Sequence, residues 1–355
     1  MGTGNRRYGL IRLPSPAGCI GRPTNHPDCG PSMKLLLALP LLFAALLAYS
    51  AHAFAAGEAY PPPGDRMPDA TFNRQSPHRL PVSGGELIIA FAPGELSLSR
   101  EQTLAWIASS AHAVSLYYGR FPAARTRLLV VPRSGQGVGP GKAWGHAGAT
   151  LRIAIGARAT PESLVADWVL VHEMVHLALP AIADRHNWLH EGLASYVEAI
   201  ARAQAGQIDV KQVWADLVAG LPKGLPEPGD RGLDNTPTWG RTYWGGALFC
   251  LLADLDIRRQ TNNRFGLQHA LRAMLAAGNM ETASALAPLL ALGDRAVDVP
   301  VLSTLYQRMK DDPAPVDLDA LWRRLGVRLA AGGVVFDEHA PEAAIRRAIT
   351  TPLAN

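Results

Sequence analysis

Cysteine is almost missing from this chain of 355 residues, which holds three, at positions 19, 29 and 250. Two of them lie in a leader, so beyond it Cys250 stands alone in an apolar run. It reads as a small buried hydrophobe, and a fold without a disulfide pair must rely on its core. A fixed-period repeat is also missing, as is any apolar run long enough for a comfortable membrane span. A surplus of charge is missing too. The formal charge is +4, but residues 1–55 hold five of the 34 basic residues and one of the 30 acidic ones, so 29 of each remain. The basic balance belongs to the leader and argues for no nucleic-acid partner and no anionic-membrane partner.

What is present is ample apolar material. Hydrophobic residues make up 48% of the chain, enough for a sizeable core. The length allows one large domain or two ordinary ones. Residues 1–32 are rich in Gly, Pro and Arg and are expected to be an over-extended start or disordered. Met33-Lys34 opens a positive n-region, Leu35 to Ala48 is an apolar h-region, and Ala51-His52-Ala53 or Ala53-Phe54-Ala55 offers a small-x-small cleavage site. Residues 33–55 thus read as a Sec-type signal peptide, placing the protein in the periplasm or outside the cell. The alternative is membrane anchoring by an uncleaved signal. Residues 56–82, with Tyr60-Pro61-Pro62-Pro63-Gly64, read as a linker. Residues 83–355 are the expected catalytic domain, strand-rich over 83–160 and helical over 161–355.

Within that domain the patterning predicts strands at 85–91, 127–132 and 150–155, with an amphipathic helix from Ser99 to Tyr118 stopped by Gly119. A Gly-rich loop is expected from 134 to 148. Later helices are expected near 241–259, 264–277, 281–292, 300–310 and 341–349, with a short one starting at Val316 and a hairpin around Gly332-Gly333.

The chemistry concentrates in Val171-His172-Glu173-Met174-Val175-His176-Leu177. On a helix His172 and His176 are i and i+4, so both imidazoles leave one face at a separation that suits a single zinc ion. Glu173 lies about 100° round the helix from His172 and reaches a water on the metal without ligating it. Thr160-Pro161-Glu162 reads as the helix start. The apolar residues from Leu164 to Leu177 imply a helix buried nearly all round, whose His and Glu side chains a metal would satisfy. A catalytic zinc takes three protein ligands, and Asp184, His186, His190, Glu191 and Glu198 are the candidates for the third. A metzincin arrangement is excluded because Ile182 stands where its third His belongs.

Trp188-Leu189-His190-Glu191-Gly192-Leu193-Ala194-Ser195-Tyr196-Val197-Glu198 resembles the segment that supplies the third zinc ligand in gluzincin peptidases, most closely the M61 and M1 aminopeptidase families. Thr242-Tyr243-Trp244-Gly245-Gly246-Ala247-Leu248 is similar to their segment carrying an oxyanion-stabilising tyrosine. The resemblance implies zinc held by His172, His176 and Glu191, Glu173 as general base, Tyr243 as oxyanion donor, and Glu198 as an acid orienting a ligand. It places the substrate-binding edge strand at Trp144 to Ala149. The M1 Gly-x-Met-Glu-Asn signature is absent, and Gly245 replaces the usual basic residue. The implied fold is α+β, a thermolysin-like zincin domain with a small mixed sheet, an edge strand over the cleft and a mostly helical C-terminal half. The implied function is an exported zinc metallopeptidase acting on peptide or protein substrates, as aminopeptidase or endopeptidase. The alternative is a catalytically silent zinc-binding scaffold of the envelope.

Overall fold

Leu87 and Ile89, Leu128 and Val130, and Leu151, Ile153 and Ile155 are at alternate positions, and all are fully buried. That period of two marks one face of a sheet turned to the core. The computed structural model describes residues 76–353, so the leader and most of the linker lie outside the described residues. The strands are β1 (His78–Val82), β2 (Gly85–Phe91), β3 (Arg125–Arg133), β4 (Val138–Trp144) and β5 (Thr150–Gly156), in the order β1-β2-β3-β5-β4. β2, β3 and β5 are parallel neighbours, and β1 and β4 run antiparallel at the two edges. The sheet is mixed and carries an edge strand, as expected.

A parallel pair needs a crossover, and α1 (Arg100–Tyr118) supplies it between β2 and β3. Its ends are where the sequence puts them. Ser99 Oγ accepts from Gln102 N at 3.1 Å, the Gln102 side chain accepts from Ser99 N at 2.8 Å, and Gly119 adopts φ 80°. Two expectations shift. Residues 78–82, read as the end of a linker, pair with β2 as β1. The edge strand lies at 138–144, inside the expected loop, while 145–149 is the turn into β5, with Ala147 and Gly148 at positive φ. Two glycines and a proline in β4 hide its strand character, and only an edge position tolerates such a composition.

The helical half begins with a break. The sequence predicts a single helix from Pro161 to near Pro180, but there are two, α2 (Pro161–Val165) and α3 (Val169–His176). Asp167 makes the break. Its carboxylate accepts from Val169 N at 3.0 Å and Leu170 N at 3.1 Å and so starts α3 afresh. Val165 is 69% exposed, so the apolar run is not buried all round. A 3₁₀ turn, Asp184–His186, leads into α4 (Asn187–Gln204), and α5 (Val210–Gly220) follows, a helix the sequence reading lacks. The segment Arg241–Gly245 is a π-helical turn continuing into α6 (Gly246–Gln260). Then come α7 (Leu267–Ala277), α8 (Leu286–Ala296), α9 (Val301–Met309), α10 (Leu318–Leu325), the hairpin β6 (Val327–Ala330) and β7 (Gly333–Phe336), and α11 (Ala343–Thr350). β7 packs on α5, and α11 on α4 and α6, so the end of the chain folds back on the helical half.

α4 is the central helix, packed against both α3 and α6. At its crossing with α6 a Cβ on Gly192 would fall 2.2 Å from the Gly246 carbonyl carbon. The two backbones touch there, which only glycine allows. Asp254 and Asp256 form structural ion pairs with Arg258 and Arg259, each at 2.7 Å, and Cys250 is buried. Among the described residues no helix is long and apolar enough to cross a membrane.

Candidate metal centre

α3 presents His172 and His176 one turn apart, their rings 4.9 Å from centroid to centroid. α4 brings Glu191 to them. Glu191 Oε2 lies 3.3 Å from His172 Nε2 and 3.5 Å from His176 Nε2. One ligand atom from each residue falls within 4.8 Å of the others, and all three are buried. Two imidazole nitrogens and a carboxylate oxygen aimed at one point are the donor set of an open zinc site, and the residues therefore fit that ion.

The charges agree with the geometry. Burial pushes the Glu191 carboxyl up, but His176 and His172 outweigh it and hold it far below the ordinary carboxylate range. Burial lowers His172, while Glu191 raises His176 against the same burial. The carboxylate is the ionised member of the trio, ready as a ligand without a proton to displace.

Glu173 lies between this trio and the edge strand. A Cβ on Gly141 would sit 2.4 Å from its Cγ and 2.9 Å from Oε1, so β4 lies directly on the carboxylate. Burial, reinforced by Glu191 and Asp167, outweighs His176 and Lys142 and lifts its pKa to about 7. The Tyr243 ring stacks on His172 at 6.3 Å and 17°, and Trp239 stacks on Tyr243 at 5.9 Å. π-helical turns gather at functional sites. The turn that carries Tyr243 is held by Arg241, whose side chain pairs with Asp230 at 2.7 Å and donates to the Gly224 carbonyl at 2.7 Å.

The remaining candidates go elsewhere. Glu198 is buried beside Arg202 at 3.5 Å, with Asp167 and Asp216 near it; among the described residues it makes no hydrogen bond to either histidine of the trio. His186 pairs with Asp234, and Asp184 lies in the 3₁₀ turn before it. His190 bonds the Pro180 carbonyl, and burial lowers its pKa to about 4. Sequence reasoning missed Gly141, Asp230, Asp234 and Arg241. Gly141 and the buried charges lie in segments without periodicity, where only the folded chain shows their partners.

No family model matches the chain, and no curated protein matches it. Among solved structures it is similar to an aminopeptidase N family protein from Idiomarina loihiensis, with a TM-score of 0.52 at 14% identity over 72% of this chain and 50% of that one. The fold is that of an aminopeptidase N family protein. An M1 zinc metallopeptidase from Deinococcus radiodurans gives a TM-score of 0.44 at 18% identity, over 68% of this chain and 54% of that one. A two-domain M1 zinc metallopeptidase bound to L-arginine gives 0.45 at 18%, with the same coverage. The chain spans about half the length of these structures. In this chain the mixed sheet brings its edge strand β4 against α3, the helix that carries His172 and His176 of the candidate metal trio.

Proposed function

We propose that this chain is an exported zinc-dependent metallopeptidase that hydrolyses peptide bonds. The observation that carries the reading is the convergence of His172, His176 and Glu191 with Glu173 roofed by the edge strand. Bound at the trio, zinc would supply a Lewis acid that polarises the scissile carbonyl and acidifies water. Glu173 takes the proton of the attacking water and delivers it to the leaving amine, a role for which an enclosed carboxylate tuned near neutrality is suited. Tyr243, beside His172, donates a hydrogen bond to the tetrahedral oxyanion. The free edge of β4 is suited to holding an extended peptide by main-chain hydrogen bonds.

The catalytic domain is proposed to follow a cleaved signal at residues 33–55, and N-terminal sequencing of the mature protein tests that. A likeness to M61 beside M1 rests on the Trp188–Glu198 segment and on Leu252–Thr261, which is similar to the M61-type helix that follows the tyrosine. A silent zinc scaffold needs neither Glu173 nor Tyr243 at the trio, and their presence weighs against that alternative. The deciding experiment is digestion of a peptide library with and without a chelator. Chelator-sensitive cleavage at defined bonds is expected, and intact peptides in both arms would reject the reading. The positions of the cuts also separate aminopeptidase from endopeptidase activity.

A further inference from the structure

One buried carboxylate outside the metal centre gathers three side chains from two separate parts of the chain. Asp234, in the loop before the π-helical turn, has a side chain only 7% exposed. Its Oδ1 accepts from Trp188 Nε1 at 2.7 Å and lies 2.8 Å from His186 Nδ1; its Oδ2 accepts from the Tyr306 hydroxyl at 2.7 Å. The far nitrogen of His186 in turn accepts from Arg185 Nε at 3.2 Å. The backbone under Asp234 is itself anchored, because Leu233 N and Asp234 N donate to the Met309 and Lys310 carbonyls at 2.8 and 3.0 Å.

The donors are not arbitrary. Trp188 opens α4 one turn before Glu191, and its indole is held between Phe249, at 5.0 Å, and Tyr306, at 6.2 Å. His186 ends the 3₁₀ turn that feeds α4. Asp234 itself lies on the segment that runs on to Tyr243. We propose that Asp234 is a positioning residue: it ties the first turn of α4 to the loop before the π-helical turn, and so sets Glu191 and Tyr243 in register across the metal centre. Its side-chain bonds go to His186, Trp188 and Tyr306, and it acts on Glu191 and Tyr243 through Trp188 and the chain. Hydrogen-bonding partners beyond the ligands commonly tune metal affinity by roughly 10–100-fold, because they restrict the angle at which each ligand meets the ion.

The inference rests on the trio holding a metal, and the experiment separates the two. Zinc affinity is measured by competition with a chromophoric chelator, and the ligand field by the visible spectrum of the cobalt-substituted protein. These are taken for the full chain and for Asp234→Asn, Trp188→Phe and Tyr306→Phe, alongside thermal stability. Glu342→Gln, which disturbs a distant pair with Arg259 and Arg324, serves as a control for lost stability alone. The expected result is zinc affinity weakened about tenfold in Asp234→Asn with an altered cobalt spectrum. Trp188→Phe should follow it more closely than Tyr306→Phe, since only the tryptophan lies on the helix of Glu191. Glu342→Gln should lose stability with unchanged affinity and spectrum. If Asp234→Asn does not fold, the two single-donor variants carry the test. Variants that lose stability but keep wild-type affinity and spectrum would overturn the proposal. Absence of zinc binding in the unaltered protein would instead overturn the metallopeptidase reading beneath it.

Discussion

Gly141 and Glu173 meet across the cleft so closely that the glycine's missing side chain defines the space the carboxylate occupies. A Cβ at 141 would stand 2.4 Å from Glu173 Cγ, well inside any real contact. A Gly141→Ala variant must therefore displace either Glu173 or the edge strand. Catalytic geometry tolerates little displacement, and about 1 Å can cost on the order of 100-fold in rate. Peptidase activity should fall at least about tenfold while zinc content, measured by atomic absorption, stays at one per chain. Unchanged kcat would mean that Glu173 is not positioned against β4 during the reaction.

Glu173→Gln preserves size and removes the proton acceptor. Zinc binding should persist while kcat falls by roughly 10²–10⁴, the usual contribution of a general base. Full-rate cleavage by this variant would sink the proposed mechanism.

Tyr243→Phe removes only a hydroxyl from a ring stacked on His172. A loss of about 3 kcal/mol in transition-state stabilisation is expected, appearing in kcat with little change in KM. Equal kcat for the two proteins would assign the tyrosine to packing alone.

Chelation should destabilise the fold as well as silence it. The trio is buried, and a ligand bound only to the native state adds about 2.7 kcal/mol at a hundred times its Kd. Differential scanning calorimetry should show a melting temperature that drops with chelator and rises again with added zinc. A melting curve indifferent to both would argue that no metal binds at the trio.

A dependence of stability on pH is also expected, from carboxyls outside the metal trio. Burial lifts Glu198 to about 8 and Asp167 to about 6, in each case against Arg202. A carboxyl raised in the folded state keeps its proton where the unfolded chain has lost it. Folding then binds protons, so this contribution to stability is fully present below the unfolded pKa values of about 4 and is lost as pH rises through about 6 and then about 8. Denaturant melts between pH 5 and 9 should show this slope, and Glu198→Gln should flatten it. An equal slope in that variant would place the proton on another group.

The pentapeptide at 172–176 was legible because it uses a local rule, whereas Glu191 was one of five candidates until the resemblance of the Trp188–Glu198 segment to its gluzincin counterpart singled it out. Helical pitch alone puts residues i and i+4 on one face, and the Trp188–Glu198 pattern announces its own helix. The helix start at Ser99 and the stop at Gly119 were readable because capping partners lie within one turn. The single helix expected from Pro161 to near Pro180 failed because apolar periodicity does not register Asp167 holding a new start. α5 and β4 escaped notice where turns, glycines and proline interrupt the pattern.

Residue order determined which of the candidate groups share a helical face, because that relation follows from 3.6 residues per turn. Only the tertiary structure decided that Glu191 meets both histidines, that Gly141 covers Glu173, and that Asp234 fastens α4 to the segment leading to Tyr243. These contacts join segments remote in the chain. They come from close backbone packing at Gly192 and Gly246 and from buried carboxylates that must find donors, and neither need has a period to read.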